Sequence, residues 1–135
     1  MVNPRLHQFV DKNRVRDAIV RVEEATDAPI FVSIVPHAKG AVHAEALRAL
    51  HRRGLSRTRD RHAVLFFVVP SRREFAVVGD EGAHARLGQD VWDSVVATVE
   101  KHFRAGDPTA GLVAGIEEVG QQLARHFPRN PSPSS

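Results

Sequence analysis

Residues 59–93 read RDRHAVLFFVVPSRREFAVVGDEGAHARLGQDVWD. Two apolar runs, 63–69 and 75–78, are separated by Pro70-Ser71-Arg72-Arg73, and Gly79-Asp80-Glu81-Gly82 follows at once. Apolar runs bounded by turn-forming residues are read as strands, and a four-residue link between them suits a hairpin. Antiparallel pairing sets the start of the first strand beside the end of the second. Arg59, Arg61 and His62 are then expected close to Asp80 and Glu81, and that corner is the place to look for function.

Upstream, Asp11 is placed to cap a helix over 12–26, with Val15, Ala18, Ile19, Val22 and Ala25 on one stripe at helical spacing. Ala28-Pro29 ends it, because a residue before proline resists the helical region. Residues 29–35 follow as a strand with apolar side chains on both faces, the pattern of a strand covered on both sides. A second helix over 41–53 stops before Gly54. Strand, helix and strand make a right-handed crossover, so the first two strands are expected parallel. The hairpin adds the third antiparallel, giving a small mixed sheet.

Downstream, residues 83–87 suit a short helical turn broken by Gly88, and Asp90 is placed to cap a helix over 90–103. Val91, Val95, Val99 and Phe103 form its stripe, within which Trp92 reads as a core anchor. Asp107-Pro108 opens a further helix with a buried face of Leu112, Ile116, Val119, Leu123 and Phe127. Gly111, Gly115 and Gly120 in that helix are suited to close approach by a neighbouring element. The expected organisation is a lead over 1–10, one domain over 11–128 with about four main helices, and a disordered Pro/Ser tail over 129–135.

The chain has 135 residues, 42% hydrophobic and 26% charged, which suits one soluble domain with a real core. It has no cysteine, which removes disulfides, thiolate ligands and thiol nucleophiles. No stretch reaches the roughly 20 apolar residues of a membrane helix, and residues 1–9 carry no signal-peptide core, so a cytoplasmic protein is expected. Net charge is +3, with arginines concentrated between Arg48 and Arg73. No aromatic residue interrupts the basic run from Arg48 to Arg61, so stacking of single-stranded nucleic acid is not supported and the run reads as a solvated helix face and loop. The P-loop, the dinucleotide fingerprint, the nucleophile elbow and the metalloprotease histidine pair are all missing. No organic cofactor is expected.

The predicted sheet gathers the starts of its first two strands and the end of its third on one rim. That rim collects residues 27–29, 59–62 and 79–82, with His84, Gln89, Asp90 and Asp93 nearby. Carboxylates beside glycine-rich turns supply hard oxygen ligands suited to Ca2+ or Mg2+, which makes Asp80, Asp90 and Asp93 the candidate metal ligands. Arg59 and Arg61 are candidates for holding an anion. The plainer roles are local: Asp80 accepting backbone hydrogen bonds in its turn, Asp90 capping a helix, and Asp93 favouring the helix dipole.

Four blocks, in this order, resemble the TPM domain family: VRDAIVRVEEATDAPIFVSIV, LSRTRDRHAVLFFVV, REFAVVGDEGAHARLGQDVWDSVV and HFRAGDPTAGLVAGIEEVGQQLARHF. The resemblance covers about residues 15–127 and implies a three-layer α/β/α sandwich. It further implies binding of Ca2+ or other divalent cations in some members and acid phosphatase activity in others. Asp80 and Asp90 match acidic positions of the family pattern. The chain departs from it at Pro29, where the family has glutamate, at His62-Ala63 in place of Asn-Gly, and at Gln89 in place of the first of two acidic residues. Three readings follow: a weak divalent-cation domain of phosphatase-like ancestry, a non-enzymatic module for an unidentified protein partner with a degenerate site, and anion or nucleic-acid binding through the arginine loop.

Overall fold

The computed structural model describes residues 10–52 and 62–129. The lead before Val10, residues 53–61 and the tail beyond Arg129 lie outside the described residues. In chain order the elements are α1 (Lys12–Glu23), β1 (Ile30–Ile34), α2 (Val42–Arg52), β2 (Val64–Val69), β3 (Glu74–Gly79), α3 (Glu81–Leu87), α4 (Gln89–Arg104) and α5 (Pro108–His126). A single 3-10 turn, Pro70–Arg72, closes the hairpin, and Arg73 completes it in the left-handed region at φ 53°.

The sheet runs β1-β2-β3, with β1 parallel and β3 antiparallel to β2. The register pairs Val32 with Phe66 and Phe66 with Val77. Alternation along each strand then sorts the core into two halves. Ile30, Val64, Phe66, Val68 and Val77 face α1, α4 and α5, while Leu65, Phe67, Val69, Ala76 and Val78 face α2. Every residue of β2 is buried, which accounts for an unbroken apolar run where an alternating one would mark a solvated face. The result is the α/β/α sandwich that the sequence implies, with five helices among the described residues.

Two helix limits differ from expectation. α1 stops at Glu23, three residues short of Thr26. Thr26 instead bridges to Pro128, and its hydroxyl donates to Phe127 O at 2.5 Å and accepts from Ala28 N–H at 3.1 Å. α3 begins two residues early, because Asp80 caps it.

The glycines of α5 set how closely the helices of that layer approach. A Cβ at Gly115 would lie 2.5 Å from Val99 of α4 and 3.0 Å from Phe66. A Cβ at Gly120 would lie 2.5 Å from Val22 of α1. α5 is therefore gripped from both sides.

Candidate functional site

The rim is built where β3 ends. Asp80 is extended, its N–H donates to Ala63 O at 2.7 Å, and its carboxylate accepts Glu81 N–H at 2.8 Å. The first bond fixes the end of β3 beside the start of β2, and the second starts α3. Asp80 is only 4% exposed. Its expected local role in the turn is therefore present.

Gly88 ends α3 and precedes α4 at φ 86°, a conformation that side-chain-bearing residues rarely adopt. That single turn serves both helices, so α4 begins at Gln89 without a side-chain cap. The expected capping role of Asp90 is thus corrected: it already lies inside the first turn, where the positive end of the helix dipole favours its charge. Asp93 lies one turn further along, exposed, and accepts a hydrogen bond from Gln89 Nε2 at 2.8 Å.

Asp80, Glu81 and Asp93 share one end of a groove of about 830 Å3, whose lining does not include Asp90. The floor of the groove is β3 itself, from Phe75 to Gly79. Val42, Leu47 and Leu50 of α2 form one wall, and Trp92 and Val96 of α4 form the other. A second hollow of about 930 Å3 continues past Phe75 to Phe103, Arg104 and Pro108. Trp92 is the core anchor expected from its stripe, at 5% exposure. Its ring lies 2.7 Å from where a Cβ of Gly79 would stand, and its indole N–H donates to His84 O at 3.3 Å. The length of this groove was not legible from spacing, because its walls come from helices on opposite faces of the sheet. The sole available signal was Gly79, the one residue of β3 without a side chain.

Behind the rim, His62 is buried against Phe127, ring centroids 4.8 Å apart, with Nε2 3.4 Å from Asp27 O. Its Nδ1 has no hydrogen-bond partner among the described residues. Sequence reasoning located His62 at this corner but gave it no role. Arg59 and Arg61, the candidate anion holders, lie outside the described residues.

Residues 8–122 match the family described as the TPM domain. The chain belongs to the TPM domain family. Its fold is similar to the NMR structure of the BA42 protein from the psychrophilic bacterium Bizionia argentinensis, with a TM-score of 0.83 and 29% identity, covering 93% of this chain and 85% of that one. It is also similar to the N-terminal domain of the cg2496 protein from Corynebacterium glutamicum, with a TM-score of 0.67 and 18% identity over 91% of this chain and 74% of that one. The N-terminal domain of a protein from P. gingivalis gives a TM-score of 0.70 and 17% identity over 88% and 79% of the two chains. No curated protein matches the chain. No helix among the described residues is long and apolar enough to cross a membrane.

The family resemblance implies a divalent cation, and the residues of this TPM domain can be tested against it. Among the described residues no three His, Asp or Glu side chains converge as a ligand group. One carboxylate oxygen of Asp80 is engaged with Glu81 N–H, and one of Asp93 with Gln89. A hard cation such as Ca2+ takes six to eight oxygen ligands, and the carboxylates described here do not build that cage.

Proposed function

We propose that this TPM domain is a protein-interaction module that receives an extended strand along the outer edge of β3. The observation that carries this reading is the groove: a strand forms its floor, apolar side chains of α2 and α4 form its walls, and it ends among carboxylates. Strand addition takes its affinity from main-chain hydrogen bonds and its selectivity from pockets for alternate side chains. The test is amide exchange measured by NMR with strand-forming peptides selected by display. Engaged peptide is expected to slow exchange at Phe75, Val77 and Gly79. Peptides that bind only elsewhere on the surface overturn the reading.

Weak cation binding at the acidic end is the second reading, favoured by Asp80, Glu81 and Asp93 lining one end of the groove and by the match of Asp80 and Asp90 to acidic family positions. Calorimetric titration with Ca2+ and with Mg2+ tests it. Heat that is lost on Asp80→Ala supports it, and no heat in either titration removes it. Phosphatase chemistry is the extension of that reading, checked by release of phosphate from an aryl phosphate in the presence of the cation.

A further inference from the structure

Which strand fits this edge follows from the direction of the β3 peptide groups and from the charges at its ends. Leu65, Phe67 and Val69 pair with Val78, Ala76 and Glu74. The bonds Val64 N–H to Pro29 O and Val35 N–H to Val68 O turn the even-numbered residues of β2 toward β1. The odd-numbered ones therefore face β3, and the even-numbered residues of β3 answer them. Phe75, Val77 and Gly79 consequently aim their N–H and C=O groups away from β2, into the groove. No strand pairs with this edge among the described residues. An open edge of this kind is a template for another strand.

The charges select the strand. β3 is preceded by Arg72-Arg73 and followed by Asp80-Glu81. Arg72 is already held by Glu74 at 2.6 Å, whereas Arg73 is exposed and has no carboxylate partner among the described residues. Laid antiparallel on a second copy of itself, β3 sets its basic end against the other's acidic end. A twofold axis at Val77 pairs Val77 with Val77 and Phe75 with Gly79, and it brings Arg73, in the turn before β3 of one copy, toward Glu81, at the start of α3 of the other. Every outward-facing residue then meets an outward-facing one. Parallel pairing sets Arg73 beside Arg73 and Glu81 beside Glu81, and like charges directly opposite destabilise a pair. The other outer strand, β1, contains no charged residue and carries no such code.

Resting on the strand-addition reading, we propose that the strand received is β3 of a second copy. The two three-stranded sheets become one of six strands through an isologous contact. Each copy then contributes Arg73 to the acidic rim of the other, beside Glu81 and Asp80.

The experiment is sedimentation equilibrium of the full chain from micromolar to millimolar concentration. The wild type is expected to reach twice the monomer mass. Arg73→Glu and Glu81→Arg are each expected to weaken dimerisation at least tenfold with unchanged far-ultraviolet circular dichroism. The double variant R73E/E81R is expected to dimerise as the wild type does, a recovery that damage to the fold cannot produce. A wild type that stays monomeric throughout overturns the inference, and so does a double variant that stays monomeric. If the monomeric wild type still shows peptide-induced protection at Phe75, Val77 and Gly79, the inference fails while the strand-addition reading stands; if that protection is also missing, both fail.

Discussion

At the scale of single residues, absent side chains are as informative as present ones. A Cβ at Gly115 would stand 2.5 Å from Val99, closer than real Cβ contacts come, and tightly against Phe66 at 3.0 Å. Gly115→Ala gains up to about 1 kcal/mol of helix propensity, but overpacking a well-filled core costs about 1–3 kcal/mol. Net destabilisation is therefore expected, read as a lower urea midpoint with an unchanged slope. Thr26 makes the opposite case: its buried hydroxyl donates to Phe127 O and accepts from Ala28 N–H. Thr26→Val keeps the shape but strips Ala28 N–H of its acceptor, while Phe127 O retains the Asp27 N–H; a buried unpaired donor costs about 1–3 kcal/mol, checked by the same denaturation. The sequence flagged the helix glycines as points of close approach. It missed Thr26, because the carbonyls its hydroxyl donates to lie about a hundred positions away.

At the scale of elements, Asp80 joins β3 to α3. Asp80→Ala removes the cap of α3, a loss of about 1 kcal/mol, and thermal melting should show it; Asp80→Asn retains an accepting oxygen and should melt near the wild type. Val77→Pro separates edge from fold. The Val77 N–H faces outward, so proline there costs no bond to β2, and proline is tolerated on edge strands. The variant is expected to keep its secondary structure by circular dichroism while losing binding of display-selected peptides. The strands and helices were legible because apolar runs and caps are local signals. Asp90 was misplaced as a cap because the sequence does not show that one glycine turn serves two helices. The groove was hidden for a related reason: Leu47 and Trp92 are far apart in the chain and belong to opposite layers.

At the scale of the whole molecule, the two faces of the sheet are unequal. Among the described residues α1, α3, α4 and α5 contribute to the core on one, and α2 alone, with four of its eleven positions exposed, covers the other. Segments with less buried apolar contact open at lower free energy. Amides of α2 are therefore expected to exchange before those of α5 under native conditions, as measured by hydrogen exchange. The sandwich itself was legible from the alternation of helical and strand periods together with the family resemblance. The imbalance between its faces was not, since periodicity shows which side of a helix is buried but not how many helices share a face. The grip on α5 has a further consequence for biosynthesis. α5 follows every other described element, yet Phe66, Val99 and Val22 are all sealed by its glycines. A growing polypeptide on the ribosome thus holds a finished hairpin whose larger face lacks one of its covering helices until the stretch from Pro108 to His126 emerges from the exit tunnel, and holdase chaperones have their chance to engage it in that interval.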